Sequence, residues 1–150
     1  MRVLLDTCVI YPSILRSILL GAASKDLFVP LWSERIIEEW RRAAARNHEE
    51  AEATIEIALL RVNWPNAQVK MGPEDHNLFL PDENDVHVLQ AAIEGGAEEL
   101  LTANLKDFPT TILSDHGLIR RSPDDFLLEM AMANRLEILE IVEIVRKEAI

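Results

Sequence analysis

The sequence predicts an α/β fold built on a central, mainly parallel sheet. Three observations predict it. The chain opens on a short apolar run, Val3-Leu4-Leu5, that stops at Asp6 and Thr7. A second run, Leu100-Leu101, stops at Thr102. Short, continuously apolar runs suit strands buried on both faces. Between and after these runs, apolar residues recur at helical spacing, and such strand–helix alternation marks a parallel sheet covered by helices on both faces.

Taken in order, Pro12 to Ala23 follows the first strand with helical spacing, and Leu27-Phe28-Val29 reads as a second short strand. Ser33 is an N-cap and Glu34 suits the first turn of a helix running to about Arg46. Another helix spans roughly Glu49 to Arg61 before Asn63-Trp64-Pro65-Asn66 breaks it, and Gln68-Val69-Lys70 is a candidate short strand. Pro81-Asp82 opens the next helix, which closes at Gly95-Gly96. The strand at Leu100-Leu101-Thr102 is followed by a weaker one at Thr111-Ile112-Leu113. Asp124 to about Lys147 is helical, with a break near Asn134.

At 150 residues, 49% of them hydrophobic, the chain is sized for one domain, 1–150, closed by the helical segment from about 124. No apolar stretch approaches membrane-spanning length. The N-terminus reads as a strand containing an acid rather than a signal peptide. The single cysteine, Cys8, excludes an internal disulfide and a cysteine-rich zinc site. A cytoplasmic protein is expected. The net charge of −11 argues against holding nucleic acid by bulk electrostatics. It leaves a nuclease open, because acids gathered around a divalent cation regain positive potential there.

Which acids could gather? Asp6 falls at a strand's carboxyl end, where open α/β sheets place their ligands. On a helical wheel Val88, Leu89, Ala92 and Ile93 form one apolar face, and Asp85 lies near its middle, in the first turn, where the helix dipole favours an anion. Asp82 is better explained as a cap. Ile36, Ile37, Trp40 and Ala43 define the buried face of their helix; Glu39 borders it and Glu38 projects away. Taken alone, Glu38 and Glu39 read most simply as solvated. Asn104 and Asp107 again follow a strand end, and a self-bonded turn is their plain alternative. Each acid has such an alternative, but three segments delivering inward or strand-end acids are harder to dismiss.

The pieces LLDTCV, WSERIIEEW, PDENDVHVLQAAIEGGAEELLTANLKDFP and SPDDFL, in this order along nearly the whole chain, resemble the PIN-domain family, of the kind found among bacterial VapC-like toxins. The resemblance implies a Rossmann-like α/β/α sandwich and a metal-dependent ribonuclease. It carries catalytic roles to Asp6, Glu39, Asp85 and Asp107, with Asp6, Asp85 and Asp107 holding Mg²⁺ or Mn²⁺, the hard cations that carboxylates suit. Thr7, Thr102 and Asn104 are expected to orient these acids or touch substrate. Many relatives carry Asp where this chain has Asn104, so the number of metals, one or two, stays open. The implied partners are an RNA substrate and an antitoxin protein; a homodimer stays open.

Other polar residues give weaker signals. His48, His76, His87 and His116 lack metal-ligand spacing, and His87 is expected on the polar side of its helix. Trp32 and Trp40 are expected in the core or an interface. Arg41, Arg42 and Arg46, with Lys106, Arg120 and Arg121, are candidates for phosphate contacts beside an acidic cleft. The alternative functions are a non-catalytic PIN-like partner-binding module and a phosphotransferase using Asp6 as nucleophile. The second is disfavoured because Cys8 stands where such haloacid-dehalogenase-like enzymes usually carry a second Asp.

Overall fold

The structure, a computed structural model, describes residues 1–148. Four strands, β1 (Arg2–Leu5), β2 (Val29–Leu31), β3 (Glu99–Leu101) and β4 (Ile119–Arg121), form one sheet in the order β2-β1-β3-β4, every neighbouring pair parallel. Leu4 pairs with Leu31 on one side and Leu100 on the other. These leucines are almost completely buried. Each fully buried side chain of this kind contributes about 1.5–3 kcal/mol, which is why such short strands hold. Trp32 continues β2 through a single parallel bridge to Gln68; the candidate strand at Gln68–Lys70 amounts to no more than this.

The helices flanking the sheet are α1 (Thr7–Ile10), α2 (Ser13–Ser24), α3 (Glu34–Arg46), α4 (Glu50–Asn63), α5 (Val86–Glu94), α6 (Thr110–Asp115), α7 (Pro123–Ala133) and α8 (Arg135–Glu148). Single 3-10 turns stand at Glu83–Asp85 and Leu105–Asp107. Ser33 caps α3 by accepting from the Ile36 amide at 3.2 Å. The buried face of α3 is Ile36, Ile37, Trp40 and Ala44. Trp32 and Trp40 are both core residues, and the Arg16 guanidinium covers the Trp40 ring at 4.4 Å. Asn134 separates α7 from α8 where a break was expected. Buried residues from Val3 to Val145 make one hydrophobic cluster.

Three expectations need correction. Strand β2 lies two residues later than Leu27–Val29. Thr111–Leu113 is helical, within α6: Pro109 precedes its first turn and Gly117, at φ +72°, ends it in the left-handed region. The fourth strand is β4 instead. Its two arginines hide it from a search for apolar runs, and both are satisfied locally. Arg121 forks onto Glu99 of β3 at 3.0 Å and also meets Glu129, while Arg120 donates to the Leu105 carbonyl at 2.9 Å. Finally, His87 is not on a solvated face. Residues 87–92 of α5 are all buried, because α3 and the segment around Pro73–Asp75 cover the helix's polar side.

Candidate active site

Strand β1 leads through α1 and α2 to β2 on one side, while β3 lies on the other. The β1–β3 boundary is therefore the point where strand order reverses, the place where open α/β sheets form a crevice at their carboxyl ends. Asp6 and Thr102 are the residues that follow these two strands. Asp6 is 7% exposed and Thr102 fully buried. Oδ1 of Asp6 accepts from the Thr7 amide at 2.7 Å, starting α1; Oδ2 accepts from the Thr102 hydroxyl at 2.8 Å and lies 3.4 Å from the Cys8 thiol. Burial pushes the Asp6 carboxyl above its usual range, the bonds from Thr102, Thr7 and Cys8 pull it back in part, and the charge of Glu39 adds to the rise.

Glu39 reaches the same place from the flank of α3. Its Oε1 accepts from the Thr7 hydroxyl at 3.0 Å and lies 3.1 Å from Nε2 of His87. That approach is close without being an aligned hydrogen bond, and neither His87 nitrogen has a hydrogen-bond partner among the described residues. Leaving a buried polar group without a hydrogen bond costs about 1–3 kcal/mol. At this distance His87 still acts on Glu39 electrostatically. Burial raises the Glu39 carboxyl, but His87, Thr7 and Arg35 together hold it below its ordinary value.

Asp85 and Asp107 come from the two 3-10 turns, each just beyond a strand or helix boundary. One carboxylate oxygen from each, with one from Asp82, lie within 4.8 Å of one another. The Asp85 carboxyl is pushed up to about 6, by burial first and then by the charges of Asp6, Asp82, Asp107 and Glu39. That single residue reports the convergence: four other acids are close enough to oppose its ionisation. Asn104 approaches Asp85 at 3.5 Å, and its backbone amide donates to the Thr102 hydroxyl at 3.0 Å.

All four acids singled out in the sequence thus lie near one another at the ends of β1 and β3, and Thr7, Thr102 and Asn104 each touch an acid or its neighbour. Asp82 belongs there too. It caps its turn through the Asn84 amide at 2.9 Å, as expected, yet another face of the same carboxylate joins the cluster. Its position three residues before Asp85, on the same side of a turn, was the available signal. Cys8, two residues after Asp6, was also missed as a neighbour of the acids. The basic residues expected to flank the site are largely committed elsewhere: Arg41 pairs with Glu38 at 2.6 Å, with Arg42 at 3.6 Å from the same carboxylate. Arg120 and Arg121 serve β4 as described. A groove of about 670 Å³ runs between α3 and α5, with Arg35, Glu39, Val86 and His87 in its walls; of the four acids it is lined by Glu39.

A family model described as "PIN domain" matches residues 2–106, and the chain belongs to that family. The match takes in Asp6, Glu39 and Asp85 and stops one residue short of Asp107. Over 45 residues the chain is 47% identical to a Mycobacterium tuberculosis protein named "Putative ribonuclease VapC50". That stretch covers 30% of this chain and 27% of the relative, so the chain matches about a quarter of the relative's length. No solved structure matches the chain significantly.

Proposed function

We propose that the chain is a metal-dependent endoribonuclease that cleaves RNA phosphodiester bonds in the crevice at the ends of β1 and β3, and that it is the toxin half of a toxin–antitoxin pair. The observation that carries this is the charge conflict at Asp85. Among the described residues, no lysine or arginine forms an ion pair with Asp6, Asp82, Asp85 or Asp107. Like charges crowded in this way repel and raise one another's pKa, which a divalent cation would relieve. The donors fit such an ion. They are carboxylate oxygens without thiolate or imidazole in the three-acid cluster, a set suited to Mg²⁺ or Mn²⁺. The ribonuclease name of the partial relative supports the choice of RNA.

In this reading Asp6, Asp85 and Asp107 hold the cation, with Asp82 beside them. A bound Mg²⁺ or Mn²⁺ supplies charge neutralisation of a scissile phosphate and acidification of the attacking water. Thr102 and the Thr7 amide hold Asp6 in place and offset part of the rise that burial imposes on its carboxyl. Glu39, its carboxyl held below the ordinary range and so kept ionised, would orient that water. Asn104 contributes an amide where a further acid would add charge, which limits the negative potential beside Asp85. RNA substrate and a protein antitoxin are the partners the reading requires.

Cleavage of single-stranded RNA with Mn²⁺, lost in EDTA and in Asp6→Asn, is the expected result. A wild-type protein that binds RNA or a partner but cleaves nothing across a range of Mn²⁺ concentrations would favour a non-catalytic partner-binding module, the reading to which Asn104 lends weight.

A further inference from the structure

We propose that His87 is a positioning residue: standing 3.1 Å from Oε1 of Glu39, beside the Thr7 hydroxyl that donates to the same oxygen, it keeps that carboxylate turned toward the metal site. The inference rests on the metal-site reading above and assigns a role to a residue that reading does not use. Oε1 lies 3.0 Å from the Thr7 hydroxyl and 3.1 Å from His87 Nε2, and Oε2 has no hydrogen bond among the described residues. A glutamate on the flank of a helix has three rotatable bonds to restrain, and restraint costs entropy. Here the two anchors come from the first turns of two different helices, α1 and α5.

There is a competitor for the carboxylate. Arg35 stands four residues before Glu39 on α3, the spacing at which helical side chains meet. It shares the wall of the 670 Å³ groove, and its charge already acts on Glu39. Without His87, Glu39 is free to swing along α3 toward Arg35 and away from Asp85. His87 is 9% exposed, and its nitrogens lack aligned partners among the described residues. A core histidine held for packing alone is expected to have its nitrogens satisfied. This one faces a carboxylate. It also sits two residues after Asp85, so the start of α5 delivers one acid to the crevice and steadies another.

The test is Mn²⁺ affinity, read by electron paramagnetic resonance on the metal-free protein. Glu39 does not hold the cation itself, but its charge reaches Asp85, so letting that charge swing away is expected to weaken binding by roughly 10-fold, the low end for an outer contact. His87→Leu should show that loss with an unchanged circular dichroism spectrum. His87→Gln, whose amide reaches the Nε2 position, should stay within about threefold of wild type, while His87→Asn should not, so the Gln–Asn contrast decides the matter if the Leu variant does not fold. On a Glu39→Gln background His87→Leu should add little, since the two residues act as a unit. Wild-type affinity in His87→Leu, or an equal loss on both backgrounds, overturns the inference. A wild-type protein that takes up no Mn²⁺ overturns the metal reading and this inference with it. Mn²⁺ uptake without RNA cleavage sinks the nuclease reading alone and leaves the His87 result standing.

Discussion

Asp85 stands among four other carboxylates, so its protonation is coupled to folding. Its carboxyl is raised to about 6 in the folded chain, against an ordinary value of 3.8. The folded state therefore binds more protons than the unfolded state between these limits, and stability falls as pH rises through that window. The loss is fully present above about pH 6. Solvent screening at this half-open position reduces it to about 1 kcal/mol. We predict that Asp85→Asn stabilises the metal-free protein by about that amount at pH 7 and by much less near pH 4, measured by urea denaturation in EDTA. An equal effect at both pH values would show that repulsion is not its cause. Asp6 shifts in the same direction and Glu39 in the opposite one, so the comparison has to be made variant by variant. Thr102 permits a second test at this scale. Its buried hydroxyl donates to Asp6, and removing a donor to a charged group costs about 1.5–3 kcal/mol. Thr102→Val, nearly the same shape, should lose about 2 kcal/mol at neutral pH in the same denaturation experiment.

Among the elements, α2 and α8 approach each other closely at Gly21. A Cβ added at Gly21 would come within 2.8 Å of Cγ2 of Ile141. Alanine would gain up to about 1 kcal/mol of helix propensity there, but overpacking typically costs about 1–3 kcal/mol. Gly21→Ala is therefore expected to destabilise by about 1 kcal/mol, and Ile141→Leu, which removes the clashing Cγ2 branch at nearly constant volume, should restore part of the loss. Gly21→Ala without any loss would mean that α8 shifts freely, and α8 would then be a loosely docked element. The same scale explains what could be read from the sequence. Strands β1 and β3 were legible because burial on both faces forces continuous apolar runs, and their ends fixed Asp6 and Thr102. The phase of α3 separated Glu39 from Glu38 because that helix has a single buried stripe. Where burial is satisfied by polar pairing, the pattern disappears. Strand β4 is held by Arg121 on Glu99, and α5 is covered even on its polar side, so β4, α6 and the burial of His87 escaped notice. Asp82 escaped for a different reason: one carboxylate does two jobs, and the capping role accounts for it locally.

For the whole molecule, the acidic crevice is one part of a chain carrying net −11, and the two scales of charge respond differently to ions. Dispersed surface acids are screened by any salt, since the Debye length is about 8 Å at physiological ionic strength. A cluster with oxygens within 4.8 Å of one another is relieved most by a cation that enters it. A ligand that binds only the folded chain stabilises by about 2.7 kcal/mol at one hundred times its dissociation constant. For a chain of this length each kcal/mol moves the melting temperature by about 2–4 °C. Saturating Mn²⁺ should therefore raise the Tm by about 5–10 °C above that in NaCl of equal ionic strength. Asp6→Asn should lose much of that gain while melting at or above the wild-type temperature in EDTA, because it removes one of the repelling charges near Asp85. Differential scanning fluorimetry with both variants, in EDTA, NaCl and Mn²⁺, separates the terms. If NaCl and Mn²⁺ shift the wild-type curve equally, the effect belongs to the surface as a whole, and the crevice at the ends of β1 and β3 is not where the cation binds.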